Sequence, residues 1–432
     1  MTGDPYTPQS GDANLSIDHY ELTLDYKIST NRLSGTAVLQ GHALAATGSL
    51  SLDLTGLRAS RVRIGTKAVD FRQSDRKLRI SLPRALAPGD PFSVSIAYAG
   101  APRPRRSRWG SIGWEELVDG VIVAAQPTGA PTWFPCNDLP SDKATYTLTF
   151  TTESAYSVIA GGATSPSTRG GKTTWSFRRD VPTPTYLATV QIGRYVSKPI
   201  PLGGVQGEIH YPRALESRVQ ADFAQLPAMM AVFEEAFGPY PLPDYRVVVT
   251  ADELEIPLEA QGVGIFGSNH ADGAGGSERL VAHELAHQWF GNSVGLSFWR
   301  DIWLNEGFAC YAEWIWSERS GGLTAHEKAL VHYGRLAVLP QDLLVDQPGA
   351  DLMFDDRIYK RGALALHAVR LAVGDELFFR VLREWTGRFR WATATTADFV
   401  ALAEEVTALP LDGLLREWVH EARLPAFPLA AA

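Results

Sequence analysis

The chain has 432 residues, of which 45% are hydrophobic and 20% are charged, and its formal net charge is −8. One hydrophobic core rarely spans this length, so we expect two domains. The negative charge balance excludes a typical nucleic-acid-binding protein, because phosphate recognition needs clustered Lys and Arg, and we interpret the short basic run at 103–108 as a solvated loop.

The cysteines and the N-terminal residues indicate the compartment. Only Cys136 and Cys310 are present, so a disulfide framework is not expected, although a single bridge between them stays open. Residues 1–16 are polar and lack the pattern of a signal peptide, and no stretch approaches the roughly 18 apolar residues of a membrane helix. We expect a cytoplasmic protein with no membrane or nucleic-acid partner. Its oligomeric state is not readable from the sequence.

Residues 17–200 predict mostly strands. Apolar and polar residues alternate in five segments, at 20–26, 77–82, 92–98, 146–150 and 156–160. Alternation bounded by Gly, Pro and Asp is typical of antiparallel sheet with one buried face. This half is therefore predicted to be a β-sandwich or β-saddle.

The pattern changes near residues 199–204, where helical periodicity begins. A strand is predicted at 245–250, and helices are predicted at 216–237, 277–290, 305–320, 356–373 and 396–409. We predict an α+β protein with two domains, residues 1–203 and residues 204–432. No internal repeat of fixed period is visible.

The segment His283-Glu284-Leu285-Ala286-His287 lies inside the predicted helix that follows Ser277, a plausible N-cap. Positions four apart share a helix face, so both imidazoles can reach one ion. Glu284 is well placed to act on a water at the metal, as in the zincin motif. The alternative is a pair of buried histidines hydrogen-bonded in a core.

Glu306 supplies a third ligand at the start of the next predicted helix. Hydrolytic zinc sites usually take three protein ligands and leave one position for water, and two His with one Glu is a recurrent set. As an isolated residue, Glu306 would be a solvated charge favoured by the helix dipole. Together with the upstream motif, it predicts a site for one Zn²⁺ held by His283, His287 and Glu306.

Longer segments around these residues carry a resemblance to a known family. The segments are His283 to Asn292 (HELAHQWFGN), Asp301 to Ala309 (DIWLNEGFA), Phe134 to Pro140 (FPCNDLP) and Tyr359 to Ala363 (YKRGA). Together they resemble the gluzincin aminopeptidases of the aminopeptidase N type. The resemblance implies an N-terminal β-saddle domain followed by a thermolysin-like, mostly helical catalytic domain. Full-length relatives add a C-terminal helical roof, which we expect to be missing because the chain ends soon after residue 419.

The same resemblance implies roles for three further residues. Tyr359 matches the tyrosine that hydrogen-bonds the oxyanion, although on its own it would be an ordinary helix aromatic. Glu259 matches the glutamate that captures the free amine of the substrate. Gln126 falls where relatives carry a Glu or Gln that contacts the same amine, and its alternative is a loop glutamine.

One segment departs from the family pattern. Residues 256–260 read IPLEA in place of Gly-x-Met-Glu-Asn. Pro257 has no amide hydrogen, so it cannot donate the backbone hydrogen bond that this position offers the substrate in relatives. Amine capture by Glu259 is retained, whereas alignment of the peptide along this strand is placed in doubt.

These observations predict a zinc aminopeptidase in which Glu284 is the general base and peptides with a free N-terminus are the substrates. Asp301 and Glu313 are candidates for orienting the imidazoles, with surface ion pairs as the alternative. Two other functions stay open. One is an endopeptidase, or a zinc hydrolase of another substrate such as an epoxide, and the other is a non-catalytic binding protein with structural zinc.

Overall fold

The computed structural model describes residues 3–427, and its contacts divide the chain into two compact units. The first unit takes in the chain up to Lys198, together with Glu208–Glu216 and Asp244–Asn269. The second unit takes in Pro199–Gly207, Ser217–Pro243 and the chain from His270 onward. The boundary drawn at residue 203 stays a prediction.

The first unit is built from strands. In chain order they are β1 Leu15–Lys27, β2 Arg32–Ala43, β3 Thr47–Asp53, β4 Leu57–Ile64, β5 Lys67–Ala68, β6 Phe71–Gln73, β7 Lys77–Leu86, β8 Pro91–Gly100, β9 Arg105–Ser107, β10 Gly110–Leu117, β11 Gly120–Ala124, β12 Lys143–Glu153, β13 Ser157–Ile159, β14 Ala163–Arg169, β15 Lys172–Pro184 and β16 Gln191–Gly193. The hairpin strands β17 Val196–Leu202 and β18 Val205–Tyr211 each have residues in both units, and the first unit continues with β19 Asp244–Val249, β20 Leu258–Ala260 and β21 Val263–Phe266.

Three sheets make up the body of this unit. An eight-stranded sheet has the order β14-β15-β12-β1-β2-β8-β4-β5, a five-stranded sheet the order β13-β16-β11-β10-β9, and a small sheet the order β3-β7-β6. The predicted alternation is seen in β12, where every second residue is buried. Strands β1 and β12 pair in parallel, whereas the sequence predicted antiparallel sheet. A long connection separates these two strands, as parallel pairing requires.

The segment Phe134 to Pro140 has a structural role in the first unit. The Asn137 amide donates to Asp142 at 2.7 Å and the Asn137 carbonyl accepts from the backbone of Asp12 at 2.6 Å. Asp138 accepts from the hydroxyl of Thr185 at 2.6 Å and is 2% exposed. The segment therefore ties the N-terminal residues to the sheets through buried polar contacts.

A second core of the first unit supports the strand that carries Glu259. Strand β21 pairs in parallel with β19 and antiparallel with β20, and Glu259 lies opposite Gly264. Ile265 and Val248 are buried in this core. Pro257 comes directly before β20, which is the edge strand of its sheet. A residue without an amide hydrogen is tolerated at such an edge.

The second unit is mostly helical. Its helices are α1 Glu216–Asp222, α2 Leu226–Phe237, α3 Glu278–Ala286, α4 Trp303–Arg319, α5 Ala325–Leu336, α6 Asp356–Val373, α7 Asp375–Arg388, α8 Thr396–Thr407 and α9 Asp412–Leu415, with the short strands β22 Gly295–Leu296 and β23 Thr393–Ala394. The helix predicted at 356–373 matches α6, whereas the one predicted at 216–237 is divided by a turn. Helices α5 and α7 were not predicted.

Aromatic residues fill the core of this unit. Trp289 packs edge-on against Phe233 and Phe237, and its indole N–H donates to the carbonyl of Gly238 at 3.0 Å. Cys136 and Cys310 are both buried and free, so the bridge that the sequence left open is not formed. Within residues 3–427, no helix has the length and apolarity needed to cross a bilayer.

Candidate metal centre

Helix α3 carries both predicted histidine ligands on one face. His283 and His287 are 8% and 1% exposed, and Glu284 between them is 4% exposed. The helix begins after Ser277 as predicted, but the hydroxyl of Ser277 makes no capping hydrogen bond. The start of α3 therefore depends on packing and on backbone hydrogen bonds rather than on the predicted cap.

The ligand atoms of the three predicted residues converge on one point. Glu306, on the first turn of α4, places its Oε2 atom 3.4 Å from the Nε2 atom of His283 and 3.4 Å from that of His287. These distances are too long for good hydrogen bonds. Ligand atoms about 2.1 Å from a tetrahedral ion lie about 3.4 Å from one another, so the spacing fits zinc.

Both imidazoles are held by a second partner on the far side of the ring. The Nδ1 atom of His283 donates to Glu313 Oε1 at 2.8 Å, and the Nδ1 atom of His287 donates to the carbonyl oxygen of Phe290 at 3.0 Å. These contacts place the remaining proton on Nδ1 and leave each Nε2 as the atom that faces the other ligands. This is the usual support of a zinc-bound histidine.

The charges of the buried side chains around the ligand atoms favour a bound cation. Burial opposes protonation of His283, but the nearby carboxylates of Glu306 and Glu313 raise the pKa of this imidazole to about 9. Burial also raises the pKa of Glu313, yet the hydrogen bond from His283 and the charges of Lys360 and Arg279 lower it to about 2. Two buried carboxylates beside two imidazoles therefore attract positive charge, which a divalent ion supplies.

Two glycines let the helices of the site touch. A Cβ atom on Gly307 would lie 2.9 Å from the Cα atom of Gly362, so α4 and α6 cross with their backbones in contact. Glu306 precedes Gly307, and Tyr359 lies three residues before Gly362. The Tyr359 ring stacks over His283 with centroids 6.1 Å apart and an interplanar angle of 20°. The crossing thus brings Tyr359 to the ligand set.

The two predicted amine-binding residues are neighbours in the first unit. The side-chain amide of Gln126 donates to Glu259 Oε1 at 2.7 Å, and both side chains are partly exposed. A glutamate held by a neutral amide retains acceptor sites for another donor. Gln126 was predicted by counting back without gaps from the Phe134 segment, and Glu259 was predicted from its match to the family's Gly-x-Met-Glu-Asn strand.

The two candidates for orienting the imidazoles have different outcomes. Glu313 contacts His283, as described above. Asp301 instead accepts from the backbone N–H and the hydroxyl of Thr396 at 3.0 and 2.6 Å, so its predicted role was wrong. It anchors the N-terminus of α8, where a carboxylate satisfies free backbone donors. Arg279 was not among the predicted site residues; it donates to Glu313 at 2.9 Å and lies one turn before His283.

Two histidines four residues apart on a buried helix, a glutamate between them and a glutamate ligand on the next helix define a zinc metallopeptidase centre. The chain matches the Peptidase M1 N-terminal domain over residues 16–187 and the Peptidase family M1 domain over residues 222–418. It therefore belongs to the M1 family of peptidases. The resemblance to gluzincin aminopeptidases is confirmed at the level of the family.

Solved structures and curated proteins agree with this assignment. The M1 zinc metallopeptidase from Deinococcus radiodurans is 32% identical, with a TM-score of 0.92 and coverage of 100% of both chains. A mutant of that enzyme has been solved bound to a Tyr-Ser-Ala substrate. The leucyl aminopeptidase of Saccharolobus solfataricus is 23% identical over 96% of this chain, and human glutamyl aminopeptidase is 27% identical over 71%. The chain spans 54% and 34% of the lengths of these two relatives.

Proposed function

We propose that this protein is a zinc aminopeptidase that releases N-terminal residues from peptides and uses one zinc ion. The observation that carries the proposal is the convergence of the His283, His287 and Glu306 ligand atoms at 3.4 Å, in a buried site with a glutamate beside them. The aminopeptidase names of the relatives and the peptide bound to the Deinococcus enzyme support the same substrate class.

His283, His287 and Glu306 hold the zinc ion in this proposal. When bound there, Zn²⁺ supplies Lewis acidity, which polarises a carbonyl group and lowers the pKa of water. The two oriented imidazoles and the buried carboxylate fix its position and leave room for substrate.

In the proposed reaction, Glu284 transfers the proton and Tyr359 stabilises the developing negative charge. Glu284 follows a ligand on α3 and is buried, so its carboxylate accepts a proton from the attacking water and later donates it to the leaving amine. Tyr359 directs its hydroxyl donor to the oxygen that becomes negative during attack. Its stacking over His283 supports this assignment.

Glu259 and Gln126 set the N-terminal register in the proposal. The carboxylate of Glu259 pairs with the ammonium group of the substrate, and Gln126 orients that carboxylate. An acylated N-terminus has no positive charge and would leave the carboxylate unpaired, which costs binding energy. The enzyme should therefore cleave at one residue from a free N-terminus.

The test compares two matched peptides that differ only by N-acetylation. We expect release of the first residue from the free peptide, with kcat/KM at least about 100-fold above that for the acetylated one. Glu284→Gln should lower kcat by roughly 1000-fold while zinc is retained. Equal cleavage of both peptides would indicate an endopeptidase, and unchanged activity of Glu284→Gln would refute the proposed base.

A further inference from the structure

Strand β20, which carries Glu259, is held by a sheet neighbour on one side only. It has three residues, it is the edge strand of its sheet, and it pairs with β21 alone. Pro257, directly before it, has no amide hydrogen to add a further backbone hydrogen bond. The position of Glu259 therefore depends on the two-residue turn that joins β20 to β21.

That turn is held by two backbone hydrogen bonds and by one buried charge. The Gln261 N–H donates to the carbonyl oxygen of Leu187 at 3.2 Å, and the carbonyl oxygen of Gly262 accepts from the Arg246 N–H at 2.9 Å. The carbonyl oxygen of Gln261 faces the Arg179 guanidinium, whose Nη2 atom lies 3.4 Å away. This spacing is long for a hydrogen bond, but Arg179 and Gln261 are 6% and 3% exposed, and burial strengthens the attraction between a full charge and a carbonyl dipole.

A buried carboxylate fixes the orientation of Arg179. The Nη1 atom of Arg179 donates to Asp244 Oδ1 at 2.9 Å and its Nη2 atom donates to Asp244 Oδ2 at 3.3 Å, which is the two-point contact that planar guanidinium and carboxylate groups favour. Asp244 also accepts from the side chain of Arg246 and from the backbone N–H of Gly162. Glu208 lies 3.6 Å from Arg246 Nε and supplies a second negative charge, so two carboxylates match the two arginines.

Gly161 makes room for the contact between Arg179 and the turn. A Cβ atom on Gly161 would lie 2.5 Å from Arg179 Nη2 and would also collide with the carbonyl oxygen of Gln261. The preceding residue, Ala160, accepts from the Arg246 side chain at 3.1 Å through its carbonyl oxygen. The loop at Gly161, the guanidinium and the turn therefore pack without spare volume, so a displacement of one is transmitted to the others.

We propose that Arg179 is a positioning residue for Glu259: it fixes the turn that follows β20 and thereby the carboxylate that pairs with the ammonium group of the substrate. Gln261 is two residues after Glu259, about 7 Å along an extended strand, so a movement of the turn moves the carboxylate. Gln126 donates to Glu259 at 2.7 Å and orients the side chain, whereas Arg179 holds the backbone that carries it. The inference rests on the proposed aminopeptidase function and names a group that sets the precision of its N-terminal register.

The test measures kcat/KM of Arg179→Met for a free peptide and for the same peptide with an acetylated N-terminus. We expect the ratio of free to acetylated to fall about tenfold, mainly through a higher KM for the free peptide, because a carboxylate misplaced by about 1 Å binds the ammonium group less well. Arg179→Lys should restore part of the ratio, since it keeps a cation beside Asp244. A general loss of folded protein would lower kcat/KM for both peptides alike and leave the ratio unchanged.

Two further variants separate the possible failures. Gly161→Ala keeps every charge but forces Arg179 and the turn apart, so it should lower the ratio in the same way. Arg178→Met changes the neighbouring, exposed residue of β15 and should keep the native ratio. If the native protein does not distinguish the two peptides, the proposed function fails. If it does, and either Arg179→Met or Gly161→Ala keeps the native ratio while its circular dichroism shows a folded protein, Arg179 does not position Glu259.

Discussion

The Nδ1 atom of His283 donates to Glu313 Oε1 at 2.8 Å, and Glu313 lies on the same helix as the proposed ligand Glu306, two turns further along. In the proposed centre, helix α4 therefore supplies both a ligand and the residue that orients another ligand. Any shift of α4 changes both contacts together, which couples the geometry of the centre to one rigid element.

Replacement of Glu313 by Gln should weaken zinc binding. The amide keeps an acceptor for the His283 N–H but loses the charge that makes the imidazole a better ligand, so zinc affinity should fall about 10- to 100-fold. Competition with a chelating dye measures this affinity. Glu376→Gln, an exposed change on α7, is the matched control and should have no effect. Equal zinc affinities in the two variants would show that Glu313 does not orient His283.

Replacement of Gly307 by Ala should disturb the crossing of α4 and α6. The added methyl group would lie 2.9 Å from the Gly362 Cα atom, so the helices must separate. We expect a loss of about 1–3 kcal/mol in unfolding free energy and a lower kcat, because Tyr359 moves with α6. Gly334→Ala is the control, since nothing lies within 4 Å of its Cβ. It should stabilise α5 by up to about 1 kcal/mol.

Replacement of Arg361 by Met should release the C-terminal segment. The buried guanidinium donates to five backbone carbonyl oxygens of that segment, those of Glu417, Trp418, Glu421, Ala422 and Arg423. Losing these donors leaves several carbonyls unsatisfied, at a cost of about 3 kcal/mol. Denaturant unfolding and the rate of limited proteolysis after residue 415 measure the effect. The control, Arg380→Met, changes an exposed residue and should match the native protein in both measurements. If Arg361→Met also matches the native protein, Arg361 does not hold the C-terminal segment.

Asp138 should make stability depend on pH. Burial, and then the charge of Asp53, raise the pKa of Asp138 to about 7 from 3.8. The folded state therefore binds a proton that the unfolded state has lost between these values, so the unfolding free energy falls as pH rises from 5 to 7, by about 2 kcal/mol. Asp138→Asn should remove this contribution. Unfolding curves of both proteins at pH 5 and pH 8 test it, and parallel changes in the two would contradict the pKa.

The strands and the proposed metal ligands were readable from the sequence because each has a local signature. The alternation around Leu148 predicts β12, and the spacing of His283 and His287 predicts a shared helix face. Glu306 was predicted because two His with one Glu is a recurrent set of zinc ligands. The structure keeps these patterns because the residues that carry them are the ones that are buried or brought together in the fold.

Other features depend on contacts between distant segments. The role of Asp301 was wrong because its partner Thr396 lies 95 residues away, and no local pattern relates the two. The close crossing of α4 and α6 at Gly307 and Gly362 could not be predicted from the sequence for the same reason. In the sequence, Arg279 resembles any exposed cation on a helix. Its contact with Glu313 is visible only in the structure. The parallel pairing of β1 with β12 is likewise a property of topology rather than of either strand.

Anomalous diffraction from crystals of the native protein, recorded on both sides of the zinc absorption edge, would locate the metal ion that His283, His287 and Glu306 are proposed to hold. We expect one peak per chain, about 2 Å from the Nε2 atoms of His283 and His287 and from an oxygen of Glu306. A peak away from these three side chains, or none in crystals grown with zinc, would contradict it.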